Sequence, residues 1–431
     1  MKKVAATTLG CKVNQYDTQS MLEDFLKAGY EIVDFSQAAD IYIVNTCTVT
    51  ATADRKSRQM IHRAKQNAGA LVIVCGCMAQ SEAEQVLGLG ADIVIGTDRR
   101  SDIVKLVREH VTGKPLSSVE SLENTPYEPM HVSGSLGHTR AYMKIQEGCN
   151  CFCTYCIIPH VRGRSRSRSL ADIGAEAVLL RSNGYKEIVL TGINLSSYGL
   201  DIPGKPGLSD AVKAVLDSGI ARVRLGSLDP GSLDSGLIDM AANDPRVCPH
   251  FHISLQSGCA ATLKVMGRRY TPQEYRREVE EIRRKISDAA VTTDVMVGFP
   301  GETDEDFAES LAFVESIAFS RIHVFPYSRR EGTLAAAMPN QISRKIKAQR
   351  SSEMIKLGQM LEESYARSLL GRREIVLAED KLDGGMIEGY NDKYVRVRFT
   401  GNKSDIGEFV AVRITGNSGG VALADQIETE W

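Results

Sequence analysis

The strongest constraint on the fold is a regular alternation of strand-like and helix-like segments, which starts close to the amino terminus. The first series predicts buried strands at Lys3–Leu9, Asp40–Thr46, Ala70–Cys75 and Asp92–Gly96. The helices predicted with them are Asn14–Ala28, Asp54–Asn67, Ser81–Leu87 and Asp102–His110. Strands that alternate with helices form a parallel sheet with right-handed crossovers. We therefore expect residues 1–112 to form a Rossmann-like or flavodoxin-like α/β domain.

A second alternating series follows residues 113–138, which are rich in Gly, Pro and Ser and which we interpret as a linker. Its strand candidates are Ala141–Ile145, Glu187–Leu190, Arg222–Leu225, His250–Leu255, Ala290–Val297 and Arg321–Phe325. The helices between them are predicted at Leu170–Ser182, Leu208–Leu216, Leu233–Ala242, Thr271–Ile286 and Thr303–Ile317. Six strand–helix units are too few for the closed eight-unit barrel. Residues 139–366 are therefore predicted to form a partial, TIM-like (β/α)6 barrel, with its active site at the carboxyl ends of the strands.

The spacing of apolar residues changes in the last part of the chain. A long helical stretch, from Ser343 to about Leu369, precedes a region in which apolar residues recur at every second position. Short strands are predicted there at Glu374–Leu377, Met386–Gly389, Tyr394–Phe399, Phe409–Ile414 and Val421–Ala424. Gly, Asn and Asp turns separate them, so residues 367–431 are predicted to form a small antiparallel β-barrel.

A cysteine triplet directly follows the first strand of the second series. Cys149, Cys153 and Cys156 have the spacing Cys-x3-Cys-x2-Cys on one short loop. Soft thiolates favour iron–sulfur clusters, zinc or copper(I), and a structural zinc site usually has four protein ligands. A cubic iron–sulfur cluster held by three thiolates leaves one iron open for a substrate. The spacing resembles that of the radical S-adenosylmethionine enzymes.

Three further cysteines occupy equivalent places in the first series. Cys11, Cys47 and Cys77 each lie in a turn directly after a predicted strand. Because the carboxyl ends of parallel strands meet at one edge of a sheet, we expect these three thiols to converge. Buried cysteines are also common as small apolar residues, and Cys75, which lies within a strand, fits that interpretation. Cys77 is preferred to Cys75 because it lies beyond the strand end.

Composition restricts the classes of function further. The 431 residues carry a net charge of −2, so any contact with RNA must come from local patches. The start of the chain has no apolar signal-peptide region, and no apolar run reaches membrane length. Ten cysteines in such a chain favour the reducing cytosol, where thiols bind metals or act in catalysis. We therefore expect a cytoplasmic protein without a membrane partner.

Loops at the carboxyl ends of the barrel strands carry residues suited to binding S-adenosylmethionine. The candidates are Tyr155, Gly192, Asn194, Ser227, Asp229 and Gln256. Tyr155 can place an aromatic face near the adenine, and Gly192 lets the backbone approach the cofactor. A Gly or Ser after a strand is usually only a turn residue. Their recurrence at the same topological position favours cofactor binding.

Basic residues supply candidates for binding the substrate. The segment from Arg162 to Arg168, directly after the cysteine loop, contains four arginines. Arginines there could bind a carboxylate or RNA phosphates. In the small barrel, basic residues are interleaved with Tyr390 and Tyr394, which suits RNA. The candidates are Arg164, Arg166, Arg168, Lys393 and Arg396. A solvated basic loop would have a similar composition, and a protein partner also fits the near-neutral small barrel.

The segments around these six cysteines together resemble the radical-SAM methylthiotransferases. They are Leu9-Gly10-Cys11, Asn45-Thr46-Cys47, Gly76-Cys77-Met78-Ala79-Gln80 and Gly148-Cys149 to Pro159. The resemblance covers nearly the whole chain. It implies an auxiliary 4Fe-4S cluster in the amino-terminal domain, a second 4Fe-4S cluster in the radical-SAM barrel and a carboxyl-terminal TRAM domain that binds the substrate. Cys151 is a departure from the pattern, and we interpret it as a thiol that binds no iron.

The segments Lys12 to Asp17 and Arg224 to Asp229 look like the branch that acts on N6-threonylcarbamoyladenosine of tRNA. The resemblance implies methylthiolation of C2 at position 37, next to the anticodon. S-adenosylmethionine would serve both as radical source and as methyl donor, and the partners would be the tRNA anticodon stem-loop, an external electron donor and a sulfur source. Three alternatives remain: the same chemistry on isopentenyladenosine, the same chemistry on a ribosomal-protein aspartate, and a non-catalytic iron–sulfur protein that binds RNA.

Overall fold

The computed structural model of the protein describes residues 1–123, 125–135, 137–231 and 233–428. Within these ranges the chain forms a parallel α/β domain, a partial barrel of parallel strands and a closed carboxyl-terminal β-barrel. The predicted fold class is confirmed. The predicted linker and the predicted small barrel each include a few residues outside the described ranges.

The amino-terminal domain has a six-stranded parallel sheet in the order β2-β1-β3-β4-β5-β6. Its strands are β1 (Lys3–Thr8), β2 (Glu31–Val33), β3 (Ile41–Thr46), β4 (Leu71–Gly76), β5 (Ile93–Ile95) and β6 (Leu116–Ser118). The sequence analysis missed the short edge strand β2. It also placed β6 in the linker, which was wrong, because β6 pairs with β5 and completes the sheet beyond residue 112.

Five helices belong to this domain, and they are α1 (Lys12–Lys27), α2 (Ala51–Lys65), α3 (Cys77–Ser81), α4 (Ala83–Gly88) and α5 (Ile103–Glu109). Strand β3 is buried along its whole length, as expected for a strand of a parallel sheet that is covered on both faces. Two helices begin at predicted metal ligands. Cys11 is the residue before α1, and Cys77 is the first residue of α3.

The second part of the chain contributes nine strands, namely β7 (Ala141–Lys144), β8 (Gln146–Glu147), β9 (Arg166–Ser167), β10 (Glu187–Thr191), β11 (Arg222–Leu225), β12 (Ser227–Leu228), β13 (His250–Ile253), β14 (Ala290–Val297) and β15 (Arg321–Pro326). Strands β8 and β9 form a separate antiparallel pair. The others form two parallel sheets, in the orders β11-β10-β7 and β12-β13-β14-β15, and the chain passes from one to the other at Gly226, between β11 and β12. Together the two sheets make the partial barrel. This matches the predicted six-unit barrel.

The helices of this part are α6 (Ile158–Arg162), α7 (Leu170–Ser182), α8 (Leu208–Leu216), α9 (Ser235–Asn243), α10 (Ala260–Met266), α11 (Pro272–Lys285), α12 (Asp304–Ile317) and α13 (Leu334–Ala337). The five predicted helices are all present, and α11 and α12 begin with capping boxes at Thr271 and Thr303. The short helix α6, which follows the cysteine triplet, was not predicted.

Residues along the barrel strands alternate between two environments. On β13, Phe251 and Ile253 pack in the hydrophobic core, whereas His250 and His252 lie on the opposite face. That opposite face lines the inside of the partial barrel, which we call the barrel interior. Asp294 on β14 shares it, because its carboxylate lies 3.2 Å from His252. The barrel interior is therefore polar, while the outer face is apolar against the helices.

The amino-terminal domain packs on the open side of the partial barrel. The Lys144 ammonium on the edge strand β7 donates to Asp17 of α1 at 2.5 Å and to Glu147 at 3.2 Å. The Arg168 guanidinium donates to Glu176 of α7 and to the Tyr16 hydroxyl of α1. These buried contacts hold α1 against the barrel, so the interior is closed on this side by another domain.

Helix α14 (Arg344–Ser368) leads into the closed barrel, whose strands are β16 (Arg373–Lys381), β17 (Met386–Asn391), β18 (Arg396–Thr400), β19 (Phe409–Ser418) and β20 (Val421–Gln426). All five strands were predicted. The expected all-antiparallel pairing was wrong at one place, since β18 and β20 pair in parallel. That pairing closes the barrel and removes exposed strand edges.

The closed barrel packs against the amino-terminal ends of the partial-barrel strands. Arg222 donates to the carbonyl oxygen of Ile375 at 3.0 Å, and Arg224 donates to that of Asn391 at 2.9 Å. Both arginines also bind the buried carboxylate of Glu187, which opens β10. The closed barrel thus lies at the end of the partial barrel opposite to the cysteine loop.

Candidate active site

Three cysteines of the amino-terminal domain converge at the carboxyl end of its sheet. Cys11 follows β1, Cys47 follows β3 and Cys77 follows β4, and these three strands are neighbours. Gly10 has φ +98°, and a Cβ atom there would lie 2.8 Å from the Cys47 sulfur. The chain beside Cys11 therefore approaches Cys47 so closely that only glycine fits. Cys11, Cys47 and Cys77 thus lie at one edge of the sheet, although no group of three Cys, His, Asp or Glu side chains among the described residues is arranged to hold a metal ion.

Burial raises the pKa of two of these thiols, Cys11 and Cys47. Burial raises the pKa of Cys47 to about 12, and the neighbouring Cys77 adds to the rise. Burial also raises the pKa of Cys11, although Arg162 opposes it. Because thiolates are the form that binds metal, loading this site must release protons and should weaken as the pH falls.

Cys75 lies apart from this set. Its sulfur contacts the Met21 sulfur at 4.0 Å in the core between the sheet and α1. Burial raises the pKa of Cys75 to about 12. The preference for Cys77 over Cys75 as a metal ligand agrees with this placement.

Arg162 connects the two cysteine-bearing regions. It is the last residue of α6, the helix after the barrel cysteine loop, and its side chain is fully buried. The guanidinium donates to the Cys77 sulfur at 3.4 Å, to Glu147 at 2.8 Å and to the side-chain oxygen of Asn14. A permanently charged group from the barrel thus lies against a thiol of the amino-terminal domain. Such a donor can orient a sulfur ligand through a charge-assisted hydrogen bond.

Replacing Arg162 with Gln should therefore weaken iron retention at the Cys11/Cys47/Cys77 site by about 10- to 100-fold, as for other partners of metal ligands. The measurement is the loss of iron to a chelator, in a background where Cys149, Cys153 and Cys156 are all Ala. Arg100→Gln is the matched control, because Arg100 binds Asp17 and Glu147 in the same buried network. Equal iron loss from Arg162→Gln and Arg100→Gln would mean that the buried charge network retains the iron, and that the contact between Arg162 and the Cys77 sulfur does not.

The second cysteine set lies on the loop between β8 and α6. Backbone hydrogen bonds fix this loop, from Cys149 to Gly163 at 3.0 Å and from Cys156 to Cys153 at 2.9 Å. Gly148 has φ +71°, and any side chain there would collide with the backbone of the following segment. The thiols of Cys149, Cys153 and Cys156 are close enough to influence each other's ionisation. The loop holds the predicted triplet together.

Two predicted cofactor-binding residues lie beside this loop. The Asn194 amide nitrogen is 4.0 Å from the Cys149 sulfur and 3.5 Å from the Cys151 sulfur. The carboxylate of Asp229 lies 3.7 Å from the Cys151 sulfur. Asn194 follows β10 and Asp229 follows β12, so the carboxyl ends of these strands reach the cysteine loop as predicted. Cys151 is thus directed towards the strand ends.

Arg268 is a site residue that the sequence analysis missed. It pairs with Asp229 and donates to the Cys153 sulfur at 3.4 Å, and its side chain is only 7% exposed. Burial is the largest influence on the pKa of Arg268 and lowers it, but Tyr270 and the other anionic partners outweigh burial and hold it above its usual range. The local sequence, Gly267-Arg268-Arg269, has no feature that distinguishes a buried arginine from an exposed one.

The remaining loop candidates differ in their surroundings. The Tyr155 ring packs edge-on against Phe299, with 6.4 Å between the ring centres. A Cβ atom on Gly192 would lie 2.9 Å from the Gln146 side chain, so this glycine makes room for Gln146. The close contact with Gln146 explains why residue 192 is a glycine, without the predicted approach of the backbone to a cofactor. Ser227 is exposed on β12.

Gln256 provides a test of whether the site fits a cofactor. It has φ +66°, and its backbone is held by Asp294 and Met296. Its side-chain oxygen is buried without a hydrogen-bond donor among the described residues. A buried acceptor left unpaired costs about 1–3 kcal/mol, which a ligand with N–H or O–H groups would relieve. The amino and hydroxyl groups of S-adenosylmethionine fit this need, and the three thiols fit an iron–sulfur cluster.

Three of the five predicted substrate-binding residues are buried, so the prediction was wrong for them. Arg168 donates to Glu176 at 2.9 Å, and Arg166 donates to the carbonyl oxygen of Arg162 at 3.0 Å. Lys393 is 8% exposed and lies 3.4 Å from a Glu374 oxygen. These side chains tie parts of the protein together and are not presented to a polyanion.

The other two predicted residues have accessible side chains. Arg164 is exposed beside the cysteine loop, where its guanidinium lies 4.4 Å from the ring centre of the exposed Phe152. Arg396 is 36% exposed and lies 3.7 Å from Glu388. An exposed arginine paired with an aromatic ring is a combination that can bind RNA bases and phosphates.

The fold and the cysteine loop define a class of protein. Residues 143–314 match the Radical SAM superfamily, and residues 3–96 match the family described as "Uncharacterized protein family UPF0004". A radical S-adenosylmethionine methyltransferase from Kitasatospora setae, TsrM, has a similar fold, with a TM-score of 0.56 and 15% identity. That alignment covers 78% of this chain and 74% of TsrM. The protein is a radical-SAM enzyme with an added amino-terminal domain.

Curated relatives narrow this class. A "Threonylcarbamoyladenosine tRNA methylthiotransferase MtaB" from Bacillus subtilis is 39% identical, over 96% of this chain and 94% of that protein. A protein of the same name from Thermotoga maritima is 38% identical over the same shares. A "tRNA-2-methylthio-N(6)-dimethylallyladenosine synthase" from Pelotomaculum thermopropionicum is 36% identical over 96% of both chains. The chain belongs to the family of radical-SAM tRNA methylthiotransferases.

The structure adds one observation about membranes. Among the described residues, no helix has the length and the apolar character that crossing a bilayer requires.

Proposed function

We propose that the protein methylthiolates C2 of N6-threonylcarbamoyladenosine at position 37, next to the anticodon of tRNA. The observation that carries the proposal is the contact of Arg162, which follows the second cysteine set in the chain, with the sulfur of Cys77 in the first set. Inserting sulfur into a C–H bond needs a radical source and a sulfur donor. A chain with one cysteine set for each of these two tasks suits this reaction. The relatives with 38–39% identity carry the name of this activity.

The barrel site is the candidate radical source. Cys149, Cys153 and Cys156 would hold a 4Fe-4S cluster, and three thiolates leave one iron for S-adenosylmethionine. When bound, the cluster and S-adenosylmethionine supply the radical that removes hydrogen from C2. Asn194 and Gln256 offer polar atoms to the cofactor. Arg268 holds Asp229 in place and donates a hydrogen bond to the Cys153 sulfur.

The amino-terminal site is the candidate for holding sulfur. Cys11, Cys47 and Cys77 would hold the auxiliary 4Fe-4S cluster, with Arg162 donating to Cys77. Sulfur, electrons and the methyl group must all come from outside the chain. We therefore include an external sulfur source, an electron donor and a second use of S-adenosylmethionine, as methyl donor, in the proposal. Arg164 and Arg396 are the accessible candidates for contacts with the anticodon stem-loop.

Mass spectrometry of tRNA nucleosides tests the function. A strain that lacks the gene should lose the 2-methylthio form of threonylcarbamoyladenosine, and the intact gene should restore it. A complementing gene with Cys153→Ala should not restore it, because the radical source would be missing. The control nucleoside is 2-methylthio-isopentenyladenosine, whose level should stay unchanged.

Other outcomes would select another function. Loss of 2-methylthio-isopentenyladenosine alone would support methylthiolation of isopentenyladenosine. That is the activity for which the 36% identical relative from Pelotomaculum thermopropionicum is named. An unchanged nucleoside profile with a methylthiolated ribosomal-protein aspartate missing would indicate a protein substrate. An unchanged profile of nucleosides and of proteins would contradict all of these activities and favour an iron–sulfur protein that only binds RNA.

A further inference from the structure

Helix α1 places a lysine where all three folded units of the chain meet. Lys12 is the first residue of α1 and directly follows Cys11, a predicted cluster ligand. Its amine lies 6.0 Å from the ring centre of Tyr142, on β7, and 5.6 Å from that of Tyr394, in the closed barrel. Lys12 therefore belongs to the barrel interior, although it comes from the amino-terminal domain.

Two arginines lie close to Lys12. The guanidinium groups of Arg140 and Arg224 lie 5.3 Å and 4.8 Å from the same Tyr394 ring centre. Burial by itself would raise the pKa of Tyr394, but Lys12 and Arg140 outweigh it and lower the pKa below its usual range. Cations this close repel each other unless each has an anionic partner.

The carboxylates nearby already have other partners. Glu187 lies 2.7 Å from Arg224, and Glu379 lies 2.6 Å from Arg140. Within the ranges that the structure describes, Lys12 forms no ion pair with any carboxylate. A partly buried cation among other cations without a counter-ion favours an anionic ligand.

The barrel interior reaches solvent at strand β15. His323 on β15 is exposed even though it lies on the same face as Asp294, with which its strand pairs. The rings of His252 and His323 are 5.9 Å apart. The Asp294 carboxylate is held by His252 at 3.2 Å, so this acid does not neutralise the cations near Lys12.

The proposed substrate supplies the missing charge. The threonylcarbamoyl group ends in a carboxylate, whereas the dimethylallyl group is neutral. On the adenine ring, C2 and the carbon that bears N6 both flank N1, so the substituent and the reacting carbon lie on the same edge. When C2 faces the sulfur held near Cys11, the N6 substituent is close to the next residue, Lys12.

We propose that Lys12 binds the carboxylate of the threonylcarbamoyl group in the barrel interior and selects this nucleoside over one with a neutral N6 substituent. The inference rests on the proposed function. Tyr142 and Tyr394 form the walls beside the amine. Lys12 is thus a specificity residue, separate from the residues that hold the clusters.

The unaltered protein provides the first test. Two anticodon stem-loop RNAs would be compared, one with the free carboxylate of threonylcarbamoyladenosine and one with its methyl ester. Loss of a charge-assisted hydrogen bond should raise KM for the ester by about 10- to 100-fold. Equal KM values for the acid and the ester would overturn the proposal. This comparison uses no variant, so it does not depend on how a substitution affects folding or iron content.

Variants locate the effect at Lys12. Lys12→Met should raise KM for the acid to the value for the ester and leave KM for the ester unchanged, while Lys12→Arg should recover most of the affinity for the acid. Lys27→Met is the matched control at the exposed end of the same helix, and its KM values should equal those of the wild type. Iron content is measured for each variant, because Lys12 adjoins Cys11.

Two kinds of failure can be distinguished. If Lys12→Met still prefers the acid over the ester as strongly as the wild type does, the specificity proposal is wrong while the proposed function stands. If the wild type modifies isopentenyladenosine RNA and leaves the threonylcarbamoyladenosine RNA unmodified, the proposed function fails, and the role of Lys12 fails with it.

Discussion

Replacing Cys47 with Ala should leave the cleavage of S-adenosylmethionine detectable and reduce methylthiolation of tRNA to background. Cys47 belongs to the amino-terminal set, where its sulfur lies against Gly10 and is influenced by Cys11 and Cys77. The barrel triplet is on a separate loop fixed by its own backbone hydrogen bonds. A two-thiolate remnant should hold the auxiliary cluster poorly, since metal affinity depends on the full ligand set. The measurement pairs 5′-deoxyadenosine formation with the mass of the RNA product.

Cys75→Ala is the matched control for this prediction. Cys75 lies on β4, two residues before Cys77, but its sulfur packs against Met21 in the core. This variant should keep full iron content and methylthiolation, with only the modest loss of stability expected from a smaller buried side chain. Full methylthiolation by Cys47→Ala would refute the assignment of a second cluster to this domain.

Cys153→Ala should abolish the formation of 5′-deoxyadenosine, and with it every later step. Cys153 is buried, lies between Cys149 and Cys156 on the loop, and accepts a hydrogen bond from Arg268 at 3.4 Å. With two thiolates left, the barrel site has too few ligands for an open cluster. The iron content should fall by about the share of one cluster, as the amino-terminal site keeps its own ligands.

The control for this second prediction comes from the same loop. Cys151→Ala should retain the iron that Cys153→Ala loses, because we interpret Cys151 as a thiol that binds no iron. Its sulfur lies 3.5 Å from the Asn194 amide nitrogen and 3.7 Å from an Asp229 carboxylate oxygen. If Cys151→Ala also lost one cluster, the ligand set of the barrel site would have to include Cys151.

Much of the fold could be predicted because it depends on local periodicity. The strands Arg222–Leu225 and Ala290–Val297 and the helices Leu170–Ser182 and Leu208–Leu216 end where the sequence pattern ends. Strand β2 was missed because it has only three partly exposed residues. Strand β6 was missed because its pairing with β5, and not its composition, makes it a strand.

The candidate cluster ligands could be predicted for a related reason. Cys47 and Cys77 come directly after their strands, and Cys11 lies three residues after the end of β1. The carboxyl ends of neighbouring parallel strands must lie at one edge of the sheet. Topology therefore brings residues together that are far apart in the chain. The spacing of Cys149, Cys153 and Cys156 is purely local and needs no tertiary information.

The basic residues show where this reasoning fails. Arg164 and Arg168 belong to one arginine-rich run, yet the first is exposed and the second is buried. The difference arises because Arg168 meets Tyr16, which lies more than a hundred residues earlier in the chain. Arg268 was missed as a site residue, although it contacts both Asp229 and Cys153. The partners of a long charged side chain are supplied by distant segments.

By itself, the sequence determined the alternating domains, the closed barrel and the six cysteines, because strand period, helix period and ligand spacing are local properties. The tertiary structure alone decided that α1 closes the open side of the partial barrel, that Arg162 lies against Cys77 and that Lys12 lies in the barrel interior. The physical reason is that burial and electrostatic field depend on which charges other segments bring close. Arg140, Arg224 and Tyr394 are far from Lys12 in the chain, so the sequence around Lys12 cannot reveal that they lie near it.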